Sequence, residues 1–304
     1  LIEDKTAAQE SWQFTVLRAG IDNFADTASS WLKRNFLTWQ PTVKPVTYYT
    51  PEFLSYYAVE DCVAKCRAYV EENGSYVQTD IDLGNLSHGK VWTMPMQYGV
   101  IAGKLGKMPS YYDVWIEDAA GTRLTYIQRY YASDIRSEEE QWVLFENSLG
   151  GIDTFRAYGS AENTAKHTHN VAEIENDSEE YRVDTVREYK KNTGFLSKEE
   201  RKWLLDFFPS LGKFLYTGNY VRRIVVTESD VSWQTKDLPS SYTFTYRYAD
   251  ARPYLNITRS EDAAPAMLDI KIPDVGSFTI APRLVELERL PLSSGALFPV
   301  QSLL

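Results

Sequence analysis

The sequence is poor in the residues that build metal centres and disulfide scaffolds. Its 304 residues include only 2 Cys and 3 His, too few for a disulfide-stapled domain. No apolar run approaches the roughly 18 residues of a membrane-spanning helix, so we expect no membrane span. Basic residues are also in deficit, with 32 Lys and Arg against 42 Asp and Glu and a formal net charge of −10. Because nucleic-acid-binding proteins carry a basic surface, we expect no nucleic-acid partner.

Several signatures of enzymes are absent as well. The sequence contains no G-x-S-x-G nucleophile turn, no H-E-x-x-H zinc motif and no P-loop. We therefore expect a protein that is not an enzyme, and we assign no catalytic residue, no cofactor-binding residue, no metal ligand and no cofactor. One enzyme hypothesis remains beside the two non-enzymatic ones given below: a hydrolase with an unrecognised carboxylate pair. It requires two acidic side chains that face each other across a deep cleft, with the pKa of one of them raised.

Two of the three histidines, His167 and His169, are separated by one residue. On one face of a strand they would lie about 7 Å apart and could supply two metal ligands. No third ligand is evident in the neighbouring sequence, and the run from Ser160 to Asn170 is polar. A solvated loop is the interpretation that we favour for this run.

The two cysteines lie in an alternating run from Cys62 to Val70. Strand geometry places Cys62 and Cys66 on one face, about 13 Å apart, whereas a disulfide requires Cα atoms within roughly 7 Å. We predict that both thiols are free and buried.

Alternation of apolar and polar residues predicts a mainly β protein. From Thr38 to Tyr131 the chain has the pattern of strands, and a second β unit follows a polar run at residues 134–140. We expect tandem antiparallel β-sandwich-like units with one or two short helices. The predicted domains are an N-terminal segment (1–37) that could hold a short helix within residues 22–36, a first unit (38–133), a second unit (140–258) with a helix at 198–208, and a C-terminal extension or arm (259–304).

A few local signals mark turns and caps. Asn73-Gly74 between alternating runs predicts a β-hairpin with a type I′ turn, because both turn positions need positive φ. Ser197 and Glu200 form a capping box that begins a helix, and Pro209 ends it. The closing strand of the second unit alternates regularly from Tyr242 to Tyr248, with aromatic residues on one face.

Aromatic residues are plentiful: 21 Tyr, 13 Phe and 8 Trp. Tyrosine doublets would place one ring on each side of a strand, where the rings could form a platform for sugars. Packing within the protein or against another subunit is the interpretation that we favour. The doublets are Tyr48-Tyr49, Tyr56-Tyr57, Tyr111-Tyr112 and Tyr130-Tyr131.

The second unit carries a resemblance to a known group of proteins. Residues 145–155, FENSLGGIDTF, resemble an N-S-x-G-x-x-D/E-T strand–turn–strand pattern of tail-associated structural proteins, minor or distal tail-like, from Bacteroidetes phages and prophages. The later order is similar too, with a helix ending at residues 204–208, a strand at 223–227 and a closing strand at 242–249. The resemblance covers about residues 140–257. It implies a helix-decorated β-fold that builds rings around a tail tip, and it carries no catalytic residues.

We therefore expect a non-enzymatic structural component of a phage-tail-like or prophage-encoded assembly. Its partners would be proteins, either its own copies or other subunits, with interfaces above about 1,000 Å². It would then be located in a virion or tail-like particle. The alternative is a surface or secreted glycan-binding β-sandwich module, found outside the cell or on its surface, which predicts a monomer with an exposed ring platform.

Overall fold

The structure, a computed structural model, describes residues 27–174, 177–216, 221–231 and 240–249, together with the backbone of three short strands nearer the carboxyl end. The helices are α1 (Ala28–Arg34), α2 (Tyr98–Leu105) and α3 (Lys198–Leu204). The strands are, in chain order, β1 (Val43–Val46), β2 (Phe53–Tyr57), β3 (Cys62–Glu72), β4 (Ser75–Leu86), β5 (Val91–Pro95), β6 (Tyr111–Asp118), β7 (Gln128–Ala132), β8 (Gln141–Glu146), β9 (Ile152–Ala157), β10 (Ala161–Ile174), β11 (Asp177–Asn192), β12 (Lys213–Tyr216), β13 (Val221–Asp230), β14 (Thr243–Tyr248), β15 (Thr279–Ile280), β16 (Leu287–Glu288) and β17 (Phe298–Val300).

The mainly β fold class is confirmed, and the strands form four sheets. A five-stranded sheet has the order β1-β7-β6-β3-β4, in which only the β1–β7 pair is parallel. A seven-stranded antiparallel sheet has the order β10-β11-β14-β13-β12-β8-β9, and a three-stranded antiparallel sheet has the order β17-β5-β2. β15 and β16 pair with each other. The two large sheets use separate chain segments, 43–132 and 141–248; the predicted domain boundaries themselves stay a prediction.

The first core lies between the five-stranded and three-stranded sheets, which pack as a sandwich with α2. β3 alternates between buried and partly exposed side chains along nine residues, as the period of two in a strand requires. β2 and β5 are instead buried on both faces, because their second face meets the second unit. Buried residues of this core include Leu54, Tyr56, Cys62, Cys66, Met94, Ile101, Tyr112, Val114 and Tyr130.

The second core fills the space between the seven-stranded sheet and α3. Its rings meet mostly edge to face: the centroids of Phe155 and Phe207 are 4.8 Å apart, and those of Phe207 and Phe244 are 5.4 Å apart. The alternating strand β14 buries Phe244 and Tyr246 here, as predicted. Other members are Val143, Phe145, Trp203, Leu204, Leu215 and Ile224.

The helices differ from expectation in number and length. Ser197 and Glu200 form the predicted capping box, but α3 ends at Leu204, not at residue 208. Beyond it, the backbone N–H groups of residues 205–207 bond to carbonyls three residues back, so the chain continues in turns. α1 begins after its N-cap Thr27; the earlier part of the predicted helix lies outside the described residues.

Helix α2 was not expected, because the segment from Thr38 to Tyr131 has the alternation of strands. Its sequence, YGVIAGKL, is apolar enough to cover the first core with Tyr98, Ile101 and Ala102. It ends at Gly106, which has a left-handed φ of 68°. None of the helices in the described part of the chain is long and apolar enough to cross a membrane.

Candidate functional site and assembly surface

A buried polar cluster joins the two units, and we call it the interface cluster: Lys44, Glu52, Asp153, Thr154 and Trp203. Lys44 comes from β1, and Glu52 immediately precedes β2. The ammonium group of Lys44 donates to both carboxylate oxygens of Glu52 at 2.7 and 2.9 Å. It also donates to the carbonyl oxygen of Thr154 in β9 at 2.6 Å. The ion pair is closed to water, since the side chains of Lys44 and Glu52 are 5% and 0% exposed.

The second unit completes the cluster with groups from β9 and α3. The indole N–H of Trp203 donates to the Asp153 carboxylate at 2.7 Å, and the Lys44 ammonium lies 4.7 Å from the centre of the Trp203 ring. The Thr154 hydroxyl donates to the carbonyl oxygen of Pro51 at 2.7 Å. The cluster therefore joins four chain segments through bonds that water does not screen.

Burial dominates the electrostatics of the two acids. Desolvation raises the pKa of Glu52 from 4.5 to about 7, opposed by the charge and hydrogen bonds of Lys44. Desolvation also raises the pKa of Asp153, opposed by its bond from Trp203. The hydrolase hypothesis requires two acids that face each other across a deep cleft, one of them with a raised pKa; here the pKa values of both neighbouring acids are raised and both side chains are buried. Both are at most 1% exposed, so a substrate reaches them only if the two units separate.

The N-S-x-G-x-x-D-T pattern consists of residues that attach the β8–β9 turn and strand β9 to the end of the N-terminal segment and to the first unit. The Asn147 side-chain amide donates to the carbonyl oxygen of Leu37 at 2.8 Å, and its oxygen accepts from the backbone N–H of Gly151 at 2.8 Å. Gly150 has a φ of 82°, which favours glycine. Asp153 and Thr154 are the interface-cluster residues described above. The pattern thus has a packing role in this chain.

Strands β10 and β11 form a long two-stranded ribbon at the edge of the seven-stranded sheet. β14 pairs only with residues 189–192 of β11, so residues 177–188 extend beyond it by about 40 Å. In the described part of the chain β10 pairs on one side only, which leaves a 14-residue edge free. The prediction of a loop for residues 160–170 is wrong. The polar composition of these residues predicted a loop. A strand that is exposed on both faces is also polar, because it has no buried face and so needs no apolar alternation.

The ribbon is exposed along nearly its whole length, and its chemistry varies along it. Large apolar side chains at 44–68% exposure are Val171, Tyr181, Val183 and Val186. Its far end, which we call the acidic tip, carries the exposed side chains of Glu173, Asp177, Glu179 and Glu180. These apolar and acidic side chains are available to a partner.

The histidine pair lies on one face of this ribbon. The rings of His167 and His169 are 6.4 Å apart, close to the separation expected for a strand. Their Nδ1 atoms lie 2.9 Å from the Thr185 hydroxyl and 3.0 Å from the Glu180 carboxylate, respectively. Across the described residues, no group of three or more His, Cys, Asp or Glu side chains could hold a metal ion.

The tyrosine doublets divide between core and surface. Tyr56, Tyr112 and Tyr130 are at most 1% exposed and pack in the first core. Tyr48 and Tyr49 instead stand at a groove of about 1000 Å³ between the turn after β1 and the loop at residues 133–140. All four doublets have the same sequence pattern, and only the fold places Tyr48 and Tyr49 at a groove.

Comparisons with known proteins are sparse. No family model matches the chain, and no curated protein does. A chain in the solved structure of the phage p2 baseplate, in its activated conformation with Sr, is similar at 14% sequence identity and a TM-score of 0.25. The match covers 36% of this chain and 44% of that chain, so less than half of the baseplate chain is spanned. The likeness concerns a phage baseplate and does not bear on the Bacteroidetes group named in the sequence resemblance.

Proposed function

We propose that the chain is a non-enzymatic structural subunit of a phage-tail-like assembly and that the β10–β11 ribbon is its contact arm. The resemblance of residues 140–257 to tail-associated proteins supports the proposal that the assembly is phage-tail-like. The arm's partner in this proposal is a second copy of the same chain. The observation that carries the proposal is the ribbon with its free edge.

Such a ribbon is not stable by its own two strands in water. An open strand edge is a template for pairing with another chain, and most proteins shorten, bend or cover such edges. Here the edge of β10 is 14 residues long, and apolar side chains such as Tyr181, at 68% exposure, stand on the ribbon. Burial of these side chains against a partner would stabilise the arm.

Charge complementarity favours a second copy as the partner. The outer face of the seven-stranded sheet carries Lys190, Arg223 and Arg247, all exposed, which we call the basic patch. Strand register places these three side chains on one face, because Arg247 lies opposite Val225 and Lys190 lies opposite Thr245. The exposed acids Glu188 and Glu228 lie on the same face, where basic side chains outnumber acidic ones by three to two. The acidic tip of one copy fits the basic patch of the next. This contact is head to tail, and head-to-tail contacts close into rings when the rotation allows it.

The interface cluster fits the role of a ring subunit. It fixes the first unit against the second through Lys44 and Thr154, so that the arm has a set direction relative to the whole subunit. The same cluster uses Glu52 and Asp153 in structural bonds, which is why we propose no catalytic role for them.

The test is the solution mass of the full chain, measured by light scattering at several protein and salt concentrations. We expect a closed oligomer that weakens as salt rises, since salt screens exposed charges. Glu173→Lys/Glu179→Lys and Arg223→Glu/Arg247→Glu should each shift the mass toward the monomer, and the fourfold variant should restore the oligomer. Glu71→Lys, an exposed glutamate on the β3–β4 hairpin, is the control. The proposal is contradicted if the wild type has the mass of a monomer at every concentration, or if neither double variant changes the mass of the oligomer.

A further inference from the structure

We infer that the groove beside Tyr48 and Tyr49 is a binding site for a neutral oligosaccharide. This assignment does not rest on the proposed assembly role, because the β10–β11 ribbon and the groove are separate surfaces. The groove, at about 1000 Å³, lies at the upper end of the range for small-molecule sites. This is room for a short oligosaccharide.

Two tyrosine rings form a corner on one side of the groove. The centroids of Tyr48 and Tyr49 are 5.0 Å apart and their planes meet at 77°. Tyr48 is 40% exposed and Tyr49 is 56% exposed, so each ring presents apolar surface to the solvent. A pyranose ring has an apolar C–H face that stacks on such a surface, while its hydroxyl groups remain available for hydrogen bonds.

The Tyr48 ring is held in place by helix α2. It lies 6.2 Å from the Tyr98 ring, and it lies so close to Gly99 that a Cβ there would be 3.3 Å from the ring carbon Cζ. The absence of a side chain at Gly99 therefore lets the ring lie against the helix. The corner is formed before any ligand arrives, which lowers the entropic cost of binding.

The opposite wall of the groove, the loop at residues 133–140, is also fixed. Arg156 from β9 donates to both carboxylate oxygens of Glu140, at 2.5 and 2.9 Å, and to the carbonyl oxygen of Ile135. Lys191 from β11 donates to the carbonyl oxygen of Glu139. Cations of the second unit thus hold both ends of the loop segment that faces the tyrosines.

The polar groups of this wall match sugar hydroxyls and carry little net charge. The exposed polar residues along the groove are Asp134, Arg136 and Glu138. Two of them offer negatively charged carboxylate acceptors, and the arginine offers a positively charged guanidinium donor. Strongly anionic or cationic ligands gain little from such a mixture, whereas a neutral sugar can bond to both.

An extended peptide is the less suitable occupant. Peptides bind grooves of this kind by adding a strand to a free sheet edge, and β1 is the outer strand of its sheet. The N–H of Ser133 bonds to the carbonyl oxygen of Val46, which places Pro45 on the outer side of β1. Proline has no N–H to offer there.

The experiment uses the full chain on an array of neutral oligosaccharides built from glucose, galactose, mannose and their N-acetylated amino sugars, with a peptide array beside it. Affinities for the best sugar are then measured by calorimetry. We expect Tyr49→Ala to weaken binding about tenfold or more, as loss of a central aromatic contact does, and Tyr49→Phe to retain it. Tyr76→Ala is the matched control, since Tyr76 is 54% exposed on another part of the same unit.

Every result of this binding experiment either supports or overturns the assignment of a sugar site. Sugar binding that falls in Tyr49→Ala and persists in Tyr49→Phe and Tyr76→Ala supports it. Absence of binding to every sugar overturns it, as does binding that Tyr49→Ala leaves unchanged or that Tyr76→Ala weakens equally. Selective binding of peptides overturns it in favour of a peptide groove. Thermal unfolding of each variant, which we expect to be unchanged because Tyr49 is exposed, shows that the fold persists.

Discussion

The ammonium group of Lys44, in the first strand of the first unit, donates a hydrogen bond to the carbonyl oxygen of Thr154 in the second unit at 2.6 Å. The same ammonium forms the buried ion pair with Glu52. One side chain therefore bonds within its own unit and across the interface, and the stability of the chain should depend on it more than on any exposed lysine.

Replacement of this lysine should be costly. We expect Lys44→Met to lower the free energy of unfolding by about 3–5 kcal/mol, because it leaves a buried carboxylate and a buried carbonyl without their donor. Lys33→Met is the control: its ion pair with Glu60 has the same 2.7 Å distance, but both side chains are about 40% exposed, and such pairs contribute at most about 1 kcal/mol. Urea denaturation measures both. Equal losses in the two variants would contradict a special role for Lys44.

The raised pKa of Glu52 predicts a pH dependence of stability. Burial raises the pKa of Glu52 in the folded protein from the ordinary value of 4.5 to about 7, and the unfolded chain has the ordinary value. Between these values the unfolded state loses a proton that the folded state still holds, so the free energy of unfolding falls as pH rises. At about 1.4 kcal/mol per pKa unit, the fall attributable to Glu52 is about 3 kcal/mol.

The measurement compares urea denaturation of the wild type and Glu52→Gln at several pH values between 4.5 and 7.5. Other carboxyl groups contribute equally to both proteins, so the difference between the two slopes reports Glu52. We expect the variant to lose less stability across this window. Parallel curves would show that the burial of Glu52 does not shift its titration.

Gly151 should be intolerant of a side chain. A Cβ at this position would lie 2.3 Å from the Leu37 carbonyl oxygen and 3.1 Å from the Ser55 Cβ, so Gly151→Ala should cost about 1–3 kcal/mol by overpacking. Gly103, inside α2, has nothing within 4 Å of such an atom, and Gly103→Ala should stabilise the helix by about 0.5–1 kcal/mol. Thermal unfolding compares them, and a Gly151→Ala variant as stable as the wild type refutes the close approach of turn and first unit.

The thiols should be unreactive in the folded protein. Cys62 and Cys66 are free and buried, as predicted, and burial raises the pKa of each thiol to about 12. Because the thiolate is the reactive form, we expect no reaction with a disulfide reagent at pH 8 while the chain is folded and two reactive thiols in urea. Ser75→Cys, at the exposed β3–β4 turn, supplies a reactive control. Rapid modification of the folded wild type would disprove this burial.

Local chemistry in the sequence was sufficient for turns, caps and alternating strands. Asn73 and Gly74 have the positive φ values of 53° and 77° that the hairpin turn required, and Ser197 and Glu200 cap α3 as predicted. These features depend on residues within a few positions of one another, so their preferences survive in almost any tertiary setting. The free state of the two thiols followed from strand rise alone for the same reason.

The interface cluster, the ribbon and the groove were decided by tertiary structure. Lys44 sits between apolar neighbours, Val43 and Pro45, which is the only sequence signal that this lysine is buried; its partner Glu52 and the acid Asp153 gave none. These groups are brought together from segments more than 100 residues apart. Residues 160–170 are polar because no core covers them. Residues 161–170 are a strand because they pair with the next strand of the chain, β11, and this pairing leaves no apolar alternation in the sequence. Distant segments meet only when the chain has folded, so their contacts cannot be read from neighbouring residues.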